Sequence, residues 1–173
     1  MLGRVKEATV APNSKGPTRL DRLVQLAYKG AYRLMRVYWA VRRPTTHGAL
    51  VAVWHEGEIL LVKNSYLHYF SLPGGYLRSG ETGRMAAIRE LREEVGLVAT
   101  EEDLELALDE THDWDGKRDH VEIYWLAVTH RPVVKIDHRE VVAAGWFTPE
   151  RALQLELFPK LRAVIETRRT DRT

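Results

Sequence analysis

Four glutamates, Glu81, Glu90, Glu93 and Glu94, fall within fourteen residues of a 173-residue chain. Crowded carboxylates repel one another, so something must offset the cost. On a helix turning ~100° per residue, Glu90, Glu93 and Glu94 lie within ~100° of one another. Met85, Ile88, Leu91 and Val95 are expected on the opposite, core side. Like charges at i, i+4 cost about 0.2–0.5 kcal/mol per pair. Arg89, four residues before Glu93, neutralises part of this. A hard divalent cation would offset the rest, because Mg²⁺ takes carboxylate oxygens and keeps waters in its other positions. The alternative is a solvated glutamate-rich face. Gly74 and Gly75 tip the balance, because glycine lets backbone approach a ligand closely and leaves carbonyls free. A glycine turn beside a carboxylate helix makes an oxygen-rich cation site.

The elements that must position these groups follow from periodicity. Residues 1–17 read as a loose tail. From Thr18 to Arg43, Leu20, Leu23, Val24, Ala27, Ala31, Leu34, Met35 and Tyr38 recur at helical spacing among Arg22, Lys29, Arg33 and Arg36. Pro44 stops this helix. "ALVAVW" and "EILLVKN" form a hairpin across His55–Gly57, and "YFSLPGG" ends in a turn. Thr82 to Glu94 form a helix ending near Gly96. "LELALDETHDW" and "HVEIYWLAVTH" are strands around "DGKR", and "AAGWFT" is a short strand. Thr148 caps a helix opened by Pro149, and "KLRAVIETRR" is the last helix. No internal repeat or heptad array is evident. Periodicity alone supports an α+β or α/β domain.

Gly75, Glu81 and the run Arg89-Glu90-Leu91-Arg92-Glu93-Glu94-Val95-Gly96-Leu97 complete a pattern that resembles the Nudix box at all nine of its positions. The preceding "LPGG" and the segment "AAGWFTPERA" also look Nudix-like. The resemblance implies an α/β/α sandwich with a mixed sheet, here with an N-terminal amphipathic helix. With the periodicity of the N-terminal part, this gives three expected regions: a tail (1–17) and a basic amphipathic helix (18–44), read from composition and spacing, and a Nudix hydrolase domain (45–173), implied by the resemblance. It further implies hydrolysis of the diphosphate bond in a nucleoside diphosphate derivative, by water attack on phosphorus, with Mg²⁺ or Mn²⁺. A bare acidic face would repel such a substrate; bound cations invert the field.

Carried over residue by residue, the resemblance makes Glu90, Glu93 and Glu94 metal ligands, with the Gly74 carbonyl as a further oxygen. Glu90 alternatively orients the water. Glu81 supports the metal shell or favours the helix N-terminus. Arg89 belongs to the catalytic set, as a salt bridge fixing carboxylate geometry rather than a substrate contact. Glu140 is the candidate general base, ahead of Asp137 and Glu122; His112, His120 and His138 are further candidates for proton work. Arg78 and Lys63 are candidates for phosphate oxygens, and Trp114 for a nucleobase platform. Tyr124 and Trp146 are expected in the core. Subgroup marks after the box are missing: Thr111 and His112 replace the proline of ADP-ribose hydrolases, and Asp113 and Trp114 replace the tyrosine of diadenosine polyphosphate hydrolases. A Nudix-fold isomerase would need a cysteine. A non-catalytic nucleotide-binding or regulatory Nudix domain is the alternative reading, though the box is intact.

The totals set bounds. The chain contains no cysteine, which excludes disulfides, thiolate metal sites and cysteine nucleophiles. The first residues lack the apolar run of a secretory leader, and no stretch offers the ~18 apolar residues of a membrane span. A cytoplasmic location is expected. Net charge is +2, but residues 1–45 hold ten Lys/Arg against two Asp/Glu, and residues 46–173 hold sixteen against twenty-two. The basic helix is expected to pack on the body or form a homodimer. Peripheral contact with an acidic membrane is the less favoured reading. No nucleic-acid role is expected, because no base-reading motif accompanies the charge.

Overall fold

A computed structural model describes residues 16–170. The tail expected over 1–17 therefore lies outside the described residues except for its last two positions. Helix α1 (Arg19–Arg42) opens on a capping box. Thr18 Oγ1 accepts from the Asp21 N–H at 3.2 Å, and Asp21 accepts from the Thr18 N–H at 2.9 Å. Arg43, at φ 43°, and Pro44 end it. Strands β1 (Thr45–His55) and β2 (Glu58–Asn64) follow, joined by Glu56 and Gly57, both at positive φ. Then come β3 (Gly74–Tyr76), α2 (Gly83–Val95), β4 (Glu105–Trp114), β5 (Lys117–Ala127), β6 (Val141–Phe147), α3 (Pro149–Ala152) and α4 (Leu161–Thr170).

The sheet runs β4-β5-β1-β2-β6, with β3 also paired to β1. The β1–β5 pair is parallel and the others are antiparallel, which makes the expected mixed sheet. Alternation along β1 and β2 divides the core. Val51, Val53, Leu60 and Val62 meet Ala87, Leu91 and Val95 of α2. Ala52, Trp54, Ile59 and Leu61 face the other way, onto Leu161, Val164 and Ile165 of α4. Covered on both faces, β1 reads as an unbroken apolar run. Tyr124 is buried on the α2 side, with Trp146 packed partly buried against it.

Three local expectations change. Gly74 and Gly75 do not end the regular structure: they pair with Leu50 and Ala49 as β3. Gly74 takes φ +149°, and a Cβ there would stand 2.3 Å from the Ala49 carbonyl oxygen, so only glycine fits. The helix after Pro149 is a single turn. On α1 the expected apolar stripe does not pack on the body; only Trp39 is buried. The inward side instead carries Asp21, Gln25, Tyr28, Tyr32 and Trp39, one or two per turn. Asp21 pairs with Arg139 at 3.0 Å, Gln25 donates to the His138 carbonyl at 2.7 Å, and Tyr32 donates to Asp115 at 2.9 Å. Lys117 lies 5.2 Å from the centres of both the Trp39 and Tyr76 rings. Polar and aromatic groups, not aliphatic ones, dock this helix.

Candidate active site

Helix α2 carries most of the site. Thr82 Oγ1 accepts from the Met85 N–H at 3.2 Å, and Gly96, at φ 72°, closes the helix in the left-handed conformation. Ala86, Ala87, Leu91 and Val95 form its buried stripe, and Glu94 lies within that stripe, 7% exposed. Met85 is exposed and Ile88 only half-buried. The carboxylates and the core therefore do not occupy opposite sides of the helix, as periodicity suggested. The reason is β3, whose glycine backbone crosses beside the helix where side chains would otherwise stand. Gly74 N–H donates to Glu94 Oε2 at 2.9 Å, and a Cβ on Gly75 would meet Glu90 Oε1 at 2.7 Å.

Arg89 organises the outer carboxylates. Its Nε and Nη2 donate to the two oxygens of Glu81 at 2.7 and 2.8 Å, and its Nη1 donates to Glu90 and lies 3.6 Å from Glu93. Nη2 also donates to the Tyr76 carbonyl at 3.1 Å. Arg89 is almost wholly enclosed, with its side chain 10% exposed, so it positions other groups and offers nothing to a ligand. Its hydrogen bonds, with the Arg78 N–H, hold Glu81 down at about 2. Arg78 pairs with Glu93 at 3.2 Å on the rim.

Behind this rim the balance reverses. Burial raises Glu90 above the ordinary carboxylate range against the pull of Arg89, and the charges of Glu93 and Glu140 add to the rise. Glu94 is pushed up to about 8, first by burial and then by Glu90 and Glu140. The Gly74 N–H and the Asn64 amide, 3.3 Å from its Oε1, oppose this incompletely. Glu140 arrives from the loop before β6. Asp137 Oδ1 accepts from the N–H groups of Arg139 and Glu140 at 2.9 and 3.2 Å, turning the chain so that Tyr66 donates to Glu140 Oε1 at 2.8 Å. Asp137 thus shapes the turn that presents Glu140.

Arg78, Glu90, Glu93 and Glu140 border one cleft of about 480 Å³, and Glu94 is bonded behind its lining residues Gly74 and Asn64. Gly74, Gly75, Arg78, Glu90, Glu93 and Glu140 form one side of it. Tyr28, Tyr32, Met35 and Trp39 of α1, with Tyr66 and Tyr76, form the other, and Trp114 stands at one end. Tyr28 stacks on Tyr66 with ring centres 6.0 Å apart, and Tyr32 lies 5.1 Å from the same ring. Lys63 is not brought here. Alternation with Asn64 turns it to the opposite face, where it donates to the His68 carbonyl over the Phe70 ring. The aromatic wall, Asn64 and Tyr66 escaped the sequence reading. An inward tyrosine row at helical spacing, Tyr28, Tyr32 and Trp39, was the available signal.

The remaining titratable candidates lie elsewhere. His112 packs against Phe158, and burial lowers its pKa. Among the described residues, one trio of metal-ligating side chains has its ligand atoms within 4.8 Å: His47, His120 and Glu122. These atoms already satisfy one another and their neighbours. His47 Nε2 is 2.6 Å from Glu122 Oε1, His120 Nε2 is 2.6 Å from Asp109, and Tyr124 donates to Glu122. Glu122 is therefore a hydrogen-bonded group at the start of α2, beside Gly83. Glu90, Glu93 and Glu94 do not close to that spacing: Arg89 draws two of them outward, and Gly74 ties the third back. Even so, Glu90 and Glu94 are both raised by burial, and the charge of Glu140 adds to each rise. A divalent cation fits that donor set.

A family model described as the NUDIX domain matches residues 44–167. A putative 8-oxo-dGTP diphosphatase of Bacillus subtilis is 46% identical over 55 residues, 31% of this chain and 37% of its own length. The chain thus spans little more than a third of that relative. The CTP pyrophosphohydrolase of Escherichia coli is 30% identical over 108 residues, 60% of this chain and 76% of its own. A C. elegans Ap4A hydrolase shares the fold at TM-score 0.63 and 21% identity, covering 73% of this chain and 96% of that one.

Proposed function

The chain belongs to the Nudix family, and on that premise we propose that its cleft hydrolyses the diphosphate bond of a nucleoside diphosphate derivative with the aid of Mg²⁺ or Mn²⁺. The observation that carries this reading is the Glu94 carboxylate, held by the Gly74 N–H in a buried position and raised first by that burial and then by the charges of Glu90 and Glu140. A cleft built on mutual repulsion is suited to a cation and, through it, to an anionic substrate. The names of the relatives, diphosphatases and pyrophosphohydrolases of nucleotides, point the same way.

Glu90, Glu93 and Glu94, with the Gly74 carbonyl, would hold the ion. When bound, it supplies positive charge to the phosphate oxygens and acidifies water. Glu140 takes the proton of the attacking water at Oε2, because Tyr66 holds Oε1. The water oxygen bonds to phosphorus, the bridging P–O bond breaks, and the two phosphate products leave. Arg89 keeps Glu90 and Glu81 in place, and Arg78, at the rim, is placed to meet phosphate oxygens. The α1 aromatics and Trp114 receive the nucleoside or its conjugate.

The test is phosphate release from a panel of nucleotides and nucleotide conjugates with Mg²⁺, comparing wild type with Glu94→Gln. Wild type is expected to turn over at least one of them, and the variant to lose about 10²–10⁴-fold in kcat, the scale of one general-acid–base or charge-stabilising group. Equal activity in the two, or none in either, would reject the reading.

A further inference from the structure

The outward side of α1 is out of keeping with a solitary surface helix. Leu20, Leu23, Leu26, Leu34, Val37 and Val41 are each between 59% and 76% exposed. They lie opposite the side that docks on the body, along a helix about 36 Å long. Soluble monomers rarely leave so continuous an aliphatic strip in water. Once the docked positions are set aside, the outward ones run Leu20, Leu23, Ala27, Gly30, Leu34, Val37 and Val41, in steps of three and four. Steps of three and four are the spacing at which one helix seats along another, forming a seam.

Gly30 identifies the occupant. A glycine in mid-helix is unfavourable against alanine, because its backbone loses more freedom on folding. The chain's own packing does not require it, since a Cβ there would meet nothing within 4 Å. Ala27 precedes it on the seam, so the middle of the seam is its lowest part. A lipid surface would gain from bulk at that point, whereas a second helix crossing closely needs it removed. The seam carries no charge. The basic residues Arg22, Lys29 and Arg33 lie to one side, and Arg36 pairs with Asp115 at 2.7 Å. A seam of this kind is complementary to itself, as a closed two-fold pair requires.

We propose that α1 pairs with α1 of a second copy of this chain along the Leu20–Val41 seam, crossing closely at Gly30.

The chain has no cysteine, so Gly30→Cys introduces a sole thiol. Under mild oxidation this variant is expected to form a disulfide-linked dimer, because Cα atoms at a close crossing fall within bonding reach. Lys29→Cys, on the basic flank, is expected to cross-link far less. In sedimentation, wild type is expected to run as a dimer, and to stay so in high salt, where charge attraction is screened. Leu23→Asp/Leu34→Asp is expected to run as a monomer with unchanged far-ultraviolet dichroism. A wild type that is monomeric at its highest soluble concentration would overturn the proposal. So would equal cross-linking of the two cysteine variants, or a monomer that floats with phosphatidylserine-containing vesicles.

Discussion

Arg89 spreads one guanidinium over Glu81, Glu90 and the Tyr76 carbonyl. The planar fork is what allows this, because two nitrogens grip both oxygens of Glu81 while the third turns to Glu90. Lysine has a single charged point and cannot do both. Arg89→Lys is therefore expected to release Glu90, lowering kcat about 10–100-fold and weakening the apparent affinity for Mg²⁺ by a similar factor, with KM little changed. Steady-state kinetics over a Mg²⁺ titration measures this. An unchanged metal dependence would show that the bridge stabilises the fold alone. Gly75 makes the complementary case: it gives the Glu90 carboxylate room that any side chain would occupy.

At the scale of elements, α1 is fastened by its ends. Asp21 closes the capping box with Thr18 and also accepts from Arg139, next to Glu140. The Thr18 hydroxyl and N–H, and then Arg139, hold its carboxyl at about 2, below the ordinary aspartate value of 3.8. A depressed folded-state pKa stabilises above the unfolded value and is lost as pH falls through the folded one. The difference in melting temperature between wild type and Asp21→Asn is therefore expected to hold steady above about pH 4 and to close toward pH 2. Thermal melts across that window test it; a difference that does not change with pH would show that Asp21 contributes nothing through its charge.

At the scale of the molecule, α1 supplies Tyr28, Tyr32, Met35 and Trp39 to the lining of the cleft. The family match begins at residue 44, just after the helix ends at Arg42. One wall of the cleft thus belongs to what precedes the matched domain, and on the proposed function it is where the non-phosphate part of the substrate would be selected. Tyr32→Ala is expected to raise KM about 5–150-fold for a nucleotide substrate, the value of one lost base-stacking contact at ~1–3 kcal/mol, and to leave kcat within about twofold. A fall in kcat alone would place Tyr32 with the reacting groups instead.

Much of this architecture was open to direct reading, for local reasons. The start of α2 at Thr82, its stop at Gly96 and the hairpin turn at Glu56–Gly57 depend on neighbours a few residues apart, where capping and backbone sterics act. The alternation of Val51 and Val53 against Ala52 and Trp54 depends only on the two-residue period of a strand. The spacing of Gly75, Glu81 and Glu90 carried the family resemblance, whereas the pairing of Gly74 and Gly75 as a strand rather than a turn came only with β1 beside them. Other features depended on contacts across scores of residues. Glu94 looked like its neighbour Glu93 until β3 crossed beside the helix and buried one and not the other. Lys63 and Asn64 are adjacent in sequence, yet the pleat sends one toward the Glu94 carboxylate and the other to the far face. The two sides of α1 are both apolar enough to pack, and the choice between them rested on Asp115, Arg139 and Tyr66, which the chain brings to the helix only on folding. Local chemistry was written in the order of residues; which groups share a dielectric, a charge and a cavity was decided by the tertiary structure, because electrostatics and burial act through space.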